Sequence, residues 1–495
     1  CGAADEQQGF VGFGAHASPD QFAPLLRCRV LEPGEIIHLC DIAAGSLQEY
    51  HGQGGVVGCA VLRELSRYRL RLVLLERRSD LAEGVSKGNS GVIHAGFNVR
   101  PGSLKARMNA AGLRAIYGLA SGLGVPHRKT GKLVVAFDED GRRHLEVLRA
   151  QGERNGTPGL DIVGAAAIRN LEPEVRGAWA LFSPWTGIIS PYEFTIALAE
   201  NAWRNGAEVR LESGVTAADC RPDRFILETP AGPVSARWVV NCAGLQADEV
   251  AGLAGPADFR IRPFKGEYLV LDKAAGDLLR MPVYPVPPRD ESSLGIHLTP
   301  TTEGPVLLGP SGESTDDKDE AGSTRGVMDR LKAEAFGLVP ALGRVPVIHA
   351  YAGSRPKLDG LAAAGGPADF LVAESRRHPR WINLGGIESP GLTAAPSLAE
   401  HVAGLIGARE DLRPREGFEP GLPGRPRFAR LDDADRAARA AADPDWGEMV
   451  CRCEHVSRAE VREAVRNPFG ARSMDAIKRR TRCGMGRCQG GFCTP

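Results

Sequence analysis

The chain has 495 residues, its 61 Lys and Arg balance 61 Asp and Glu, and 43% of it is hydrophobic. That length supports two or three domains with cores of their own. The charge balance excludes a chain built globally around nucleic acid or an anionic surface, and no apolar run approaches the ~18 residues of a spanning helix.

Gly and Pro are abundant and aromatics few, as in a loop-rich α/β protein and unlike a disordered one. No signal peptide is evident, so the expected location is cytoplasmic, or peripheral at the inner membrane face through a partner. In that compartment clustered cysteines mean metal or redox chemistry before disulfides.

Residues 1–50 are irregular, and only Glu35-Ile-Ile-His-Leu-Cys-Asp-Ile42 resembles a strand. Order begins at Gly54-Gly-Val-Val-Gly58, where small residues pass into an apolar-periodic helix ending near Arg67. The buried-strand pattern Leu70-Arg-Leu-Val-Leu-Leu-Glu76 follows. Glu76 lies about 20 residues beyond Gly55, the spacing at which a Rossmann acid meets a ribose hydroxyl. Two departures stand out. Gln53 occupies the place of the first glycine, and the residues leading into the loop, Ser46 to Gln53, are mostly polar. The leading strand is therefore expected to be degenerate and the N-terminal sequence aberrant through a frame error or chimeric join. The chain also lacks an initial Met and stops two residues after Cys493, which reads as a fragment with a truncated final module.

Three further segments suit a close approach of backbone to ligand. The small, polar stretch Gly84-Val-Ser-Lys-Gly-Asn-Ser-Gly-Val-Ile-His-Ala-Gly96 suits a loop along a phosphate and a flat ring. At Trp238–Asp248 a strand runs through Cys-Ala-Gly into a helix, and Trp381–Pro396 repeats the plan with Gly385-Gly386. The helix that follows would aim its N-terminus at an anionic ring edge. Three glycine-bearing strand–helix junctions, widely spaced, favour an elongated cofactor such as FAD over a nicotinamide dinucleotide, which needs only the first.

The last 45 residues hold Cys451-Arg-Cys453 and Cys483-x4-Cys488-x4-Cys493. Thiolates at this spacing point to zinc or an iron–sulfur cluster, although Cys-x-Cys is tight for a zinc knuckle. Ser457-Arg-Ala-Glu460 is a capping box opening a short helix, and Ser473 begins a second. Basic residues outnumber acids from Arg452 to Arg487, as on a solvated or partner-docking face.

From about Gly54 onward the chain resembles FAD-dependent oxidoreductases of the D-amino-acid-oxidase type. Within them it is most similar to the large subunit of anaerobic-type glycerol-3-phosphate dehydrogenases and to L-2-hydroxyglutarate dehydrogenases. The resemblance is carried by Ser86–Gly96, Gly187–Ala197, Lys265-Gly-Glu-Tyr268, Tyr351-Ala-Gly-Ser-Arg-Pro356 and Gly386–Pro396. The C-terminal segment resembles the BFD-like [2Fe-2S] domain.

The resemblance implies an α/β (α+β overall) enzyme. A Rossmann-like FAD-binding domain would carry an inserted antiparallel-sheet substrate domain and a small helical iron–sulfur domain. The boundaries expected are 51–408 for the oxidoreductase, with FAD-binding parts 51–130, 185–255 and 345–408 and substrate parts 131–184 and 256–344. A linker over 409–446 and the cluster domain over 447–495 complete the chain. By the same analogy Gly55, Gly58 and Glu76 bind the AMP half of FAD. Ser86, Ser90 and Gly91 follow the pyrophosphate, Val215 meets adenine, Gly244 the phosphates, and Gly386, Gly391, Leu392 and Thr393 the flavin side. Arg355 is expected to hold the substrate anion, His94 to act as base, and Lys265 to give a second anion contact or hold the flavin. Cys451, Cys453, Cys488 and Cys493 are the cluster ligands it implies, with Cys483 a spare thiol.

The activity implied is oxidation of a small anionic hydroxy substrate by hydride transfer to flavin. sn-Glycerol 3-phosphate is the first candidate, and L-2-hydroxyglutarate or another 2-hydroxy or amino acid the second. Electrons would leave through the [2Fe-2S] cluster to a partner subunit or quinone-linked acceptor, with no nucleic acid involved. The alternative is a non-catalytic electron-transfer subunit, or a chain unable to hold FAD because its first strand is degenerate.

Overall fold

A six-stranded, mostly parallel sheet forms the first lobe of the computed structural model, which describes residues 36–40, 54–287, 295–359 and 368–494. Its spatial order is Leu371–Glu374, Trp381–Gly385, Trp238–Asn241, Ile36–Cys40, Arg71–Leu75 and Glu208–Arg210. Only the Leu371–Glu374 edge runs antiparallel to its neighbour. Leu72 to Leu75 and Trp238 to Val240 are all buried, as strands covered on both faces require. The helix Val56–Leu65 packs between Pro191–Arg204 and Gly391–Gly407.

Ile36–Cys40 corrects two sequence expectations. It pairs in parallel with Arg71–Leu75 on one side and Trp238–Asn241 on the other, the central place of a leading Rossmann strand. The strand is thus present inside the segment expected to be irregular. The strand-like character of Glu35–Ile42 is borne out, but not its exclusion as the leading strand, which follows from its distance from Gly54; residues 41–53, with Gln53, lie outside the described residues.

The second lobe is a nine-stranded, largely antiparallel sheet. Its spine is Arg260–Leu271 paired with Val347–Asp359 along nearly its whole length, from Arg260 opposite Asp359 to Leu271 opposite Val347. Val347–Asp359 therefore belongs to the antiparallel sheet and not to the FAD-binding segments expected from residue 345 on, because its ladder partner lies entirely in that sheet. Leu133, Leu271 and Leu298 form this lobe's core together with Leu331 of the helix Arg325–Leu338. The mixed helix and strand content, with a Rossmann-like lobe and an antiparallel lobe, is the fold class expected.

Beyond Gly407 the chain crosses the first lobe. Asn201 and Asn205 both donate to the Glu419 carbonyl, and Arg63 donates to that of Pro420. A helix, Asp433–Ala442, precedes the terminal module. There Ser457 caps Arg458–Val465 with the full reciprocal capping box, and Ser473 caps Met474–Thr481. The basic residues of this module dock onto the same chain: Arg479 and Arg480 both reach Asp80, and Arg487 pairs with Asp272. Among the described residues no helix is long and apolar enough to cross a membrane.

Candidate active site and thiol centre

One cavity lies between the lobes, and three glycine junctions converge on it. Gly55, Gly244 and Gly391 all line it. Gly55 caps Val56–Leu65, and the N–H of Val56 donates to Ser86 Oγ at 2.9 Å across the cavity mouth. The helix Gly391–Gly407 presents a second N-terminus. Two such ends supply free backbone N–H groups and positive potential for an extended polyanion. Space is made for backbone approach: a Cβ at Gly54 would stand 2.9 Å from Glu76 Oε2 and 2.4 Å from Leu81 Cδ2. The donor set and this crowding fit a dinucleotide.

Of the residues singled out from sequence, Gly55, Ser86, Ser90, His94, Gly244, Arg355, Gly391 and Leu392 line the cavity together. Gly58, Glu76, Gly91, Val215, Gly386, Thr393 and Lys265 do not. Gly58 packs near Cys242, whose Cβ lies 3.5 Å from where a Gly58 Cβ would be, an ordinary contact distance. Glu76 is fully buried at its strand end and accepts from Arg78 N at 2.7 Å. Gly91 and Gly386 hold φ values of +65° and +66°, and Val215 is a core side chain. Thr393 acts through its neighbour, since its Oγ1 accepts from His94 N at 2.8 Å.

Lys265 is a correction. Along Arg260–Leu271 side chains alternate between faces. Gly266 and Tyr268 turn to the cavity, so Lys265 and Glu267 turn away. Lys265 Nζ pairs with Glu267 at 3.2 Å and Glu320 at 3.3 Å. On the opposite strand the register sets Gly353 against Gly266 and Tyr351 against Tyr268. The two tyrosine rings stack at 4.7 Å and 10°. The same alternation brings Arg355 to the cavity, with its guanidinium 4.9 Å above the Phe264 ring. Among the described residues no carboxylate pairs with it, so its charge is available to an anion.

His94 sits on the wall with Nε2 3.2 Å from Ser389 Oγ. Burial, and after it the charge of Lys132, push its pKa down to about 3, so the imidazole is neutral across the ordinary pH range. Lys132 escaped the sequence reading. It is only 2% exposed, its Nζ lies 3.8 Å from the Tyr284 ring, and burial lowers its pKa to about 7. No local pattern marks a lysine as buried. Tyr268, which the sequence reading named only as the end of a motif, stands on the face that Gly266 shares and lines the cavity.

In the terminal module five thiols converge. The sulfurs of Cys451, Cys483 and Cys493 lie within 4.8 Å of one another, and those of Cys453 and Cys488 are 3.5 Å apart. The hydrogen bond from Cys453, then backbone N–H groups of Phe492, Gly490 and Gly491, hold the Cys488 thiol below its ordinary pKa. Burial and the neighbouring thiols push Cys483 up. A set of converging sulfurs with one favoured as thiolate fits a thiolate-ligated iron cluster.

Comparisons with known proteins agree with this geometry. The model of the FAD dependent oxidoreductase family matches residues 54–405, and that of the BFD-like [2Fe-2S] binding domain matches 449–495. A glycerol 3-phosphate dehydrogenase of Caloramator mitchellensis is 35% identical over 444 residues, covering 89% of this chain and 91% of that protein. A mitochondrial L-2-hydroxyglutarate dehydrogenase of Caenorhabditis elegans is 36% identical over 266 residues, covering 52% of this chain and 61% of the relative. Among solved structures, the FAD-bound L-alpha-glycerophosphate oxidase of Mycoplasma pneumoniae aligns with a TM-score of 0.69 at 28% identity, over 79% of this chain and 99% of that one.

Proposed function

The chain belongs to the FAD-dependent oxidoreductase family and carries a BFD-like [2Fe-2S] domain, and from that premise we propose that it oxidises sn-glycerol 3-phosphate and passes the electrons through its terminal module to an external acceptor. It is an FAD-dependent dehydrogenase; the substrate and the electron path are the parts proposed. The observation that carries the reading is the convergence of neutral His94 and uncompensated Arg355 on one cavity with two helix N-termini.

When bound, FAD supplies the two-electron acceptor and the [2Fe-2S] cluster a one-electron store. The helix N-termini at Gly55 and Gly391 would hold FAD, with Ser86 and Gly244 beside them. Arg355 takes the substrate anion, a phosphate or carboxylate, with its planar fork. His94 Nε2 accepts the hydroxyl proton, the substrate hydroxyl taking the place of Ser389 Oγ on that nitrogen, while the backbone of His94 is fixed by Thr393. The apolar wall of Tyr268 and Tyr284 keeps water from the reacting carbon. L-2-hydroxyglutarate is the second reading, supported by the matching relatives of that name.

Steady-state rates with each compound and an artificial dye acceptor test the proposal. Saturation by sn-glycerol 3-phosphate with a kcat/KM far above that for L-2-hydroxyglutarate is expected, and the reverse order overturns it. Arg355→Leu is expected to raise KM about a hundredfold while kcat changes far less, because the lost charge-assisted contact is made in ground and transition states alike. An unchanged KM would remove Arg355 from the substrate.

Cys451, Cys453, Cys488 and Cys493 would hold the cluster, leaving Cys483 as a fifth thiol beside Cys451 and Cys493. Cys493→Ala is expected to lose the visible and paramagnetic signals of the cluster, and Cys483→Ala to keep them. Loss with Cys483→Ala and retention with Cys493→Ala would exchange the two.

A further inference from the structure

The strand that brings Arg355 to the cavity carries a second cation on the same face. Side chains alternate along Val347–Asp359, so Arg355 and Lys357 point the same way. Phe264 stands opposite Arg355 in the ladder, and its ring meets both charges. The Arg355 guanidinium lies 4.9 Å and Lys357 Nζ 3.8 Å from the ring centroid. One aromatic ring thus gathers the two cations at one place on the sheet.

The charges around Lys357 are few. Burial, opposed by Glu388 and reinforced by Arg355 and Lys105, lowers its pKa. Glu388 is the one carboxylate in that set, and Lys105 already holds it at 2.7 Å. Asp359, next on the same face, pairs with Arg262 at 3.1 Å. Among the described residues Lys357 makes no ion pair and no side-chain hydrogen bond. Residues 360–367, which follow the strand, carry no charged side chain. Arg355 and Glu388 both line the cavity, so Lys357 stands at its edge. Its flexible four-carbon stem can carry Nζ to an anion seated on Arg355.

We propose that Lys357 is a second cation for the anionic group of the substrate, and that its pairing with Arg355 selects a phosphate dianion over a singly charged acid. A carboxylate has one charge and two oxygens, which the Arg355 fork satisfies alone. A phosphate monoester carries close to two charges at pH 7 and three acceptor oxygens. The fork leaves one oxygen and much of one charge unmet, and an ammonium point charge supplies the remainder. The second anion contact expected at Lys265 thus falls to Lys357, because Lys265 is turned away and held by Glu267 and Glu320. The inference rests on the glycerol-phosphate reading above for the natural ligand, and on the ladder for the cation pair.

Propyl phosphate is a suitable probe, since it has the phosphate monoester but no hydroxyl to oxidise. Methyl propyl phosphate, a diester with one charge, is its control. Calorimetry on the oxidised holoenzyme at pH 7 is expected to show the monoester bound about tenfold more tightly, the scale of one charged contact. At pH 5, below the second ionisation of the monoester, that preference should vanish. Lys357→Met is expected to weaken the monoester about tenfold at pH 7 and leave the diester within twofold, while Lys357→Arg keeps the preference and Arg355→Leu weakens both probes. In turnover Lys357→Met should raise the KM for sn-glycerol 3-phosphate about tenfold with kcat within twofold. Failure of the monoester to bind, or a Lys357→Met that weakens both probes alike or neither, overturns the assignment. If L-2-hydroxyglutarate and not sn-glycerol 3-phosphate bleaches the wild-type flavin, the substrate reading fails instead, and the calorimetry still decides the cation pair.

Discussion

His94→Gln is expected to lower kcat about a thousandfold with little change in KM, the range found when a positioned general base is removed. Glutamine keeps the hydrogen bond to Ser389 and the backbone contact to Thr393 but cannot take a proton. The FAD absorbance of the variant should match the wild type, which separates lost chemistry from lost cofactor. The pH dependence is a second check. An ordinary imidazole protonates near pH 6.5 and a base of that kind loses activity on the acid side. Burial and Lys132 hold His94 down to about 3. The wild-type kcat/KM should therefore show no acid limb from this group between pH 5 and 8. Removing the charge with Lys132→Met relieves the smaller of the two causes and leaves burial in force, so His94 should rise only in part. A thousandfold loss that appears in KM alone would take the proton-accepting role away from His94, whereas a limb near pH 7 that disappears in Lys132→Met belongs to Lys132, which burial lowers to about 7.

The cavity was legible where chemistry is written in the backbone. A glycine is needed wherever a helix N-terminus must approach a ligand or a neighbouring strand, so Gly55, Gly244 and Gly391 stand out in the sequence before any coordinates. The thiols of the terminal module are legible for a similar reason, since no other role gathers five of them in so few residues. What misled was chain distance. Ile36–Cys40 is an acceptable strand by composition, yet a Rossmann strand ordinarily runs straight into its glycine loop. With the intervening residues polar, the strand was discounted and the lobe judged incomplete. Lys265 failed on a finer scale. A motif names four successive residues, but in a strand only alternate ones share a face, and Lys265 lies on the face opposite to Gly266 and Tyr268. Lys132 and Asp80 belong to a third kind. Their importance arises from what the fold packs around them, an aromatic wall in one case and two arginines from residues 479 and 480 in the other, and nothing local announces it.

Asp80→Asn is expected to unseat the cysteine module. Asp80 is fully buried in the first lobe, and Arg480 binds it through both carboxylate oxygens at 2.6 and 2.7 Å while Arg479 adds a contact at 2.8 Å. The side chains of Arg480 and Arg479 are 1% and 4% exposed. Removing the shared charge leaves Arg480 without a carboxylate partner and Arg479 with Glu83 alone, at 2.8 Å, and breaking a buried pair in this way costs about 3–5 kcal/mol. Most of that falls on docking, because the lobe core about Leu72 and Trp238 does not depend on the contact. Substrate should still bleach the flavin, while reduction of the cluster slows and the linker between residues 409 and 446 becomes open to protease. Acid should reproduce the effect in the wild type. Burial opposes ionisation of Asp80, but the hydrogen bond and charge of Arg480, then those of Arg479, outweigh it and hold the carboxyl below its ordinary range. A depressed carboxylate stabilises fully above its unfolded value, about 4. That stabilisation is lost as pH falls through the lower folded value. Protection of the linker should thus decline below pH 4 in the wild type and show no such step in Asp80→Asn. Equal protection of the two proteins at pH 7 would mean that the arginines find other partners and that the module is held chiefly by Lys273–Glu454 and Arg487–Asp272.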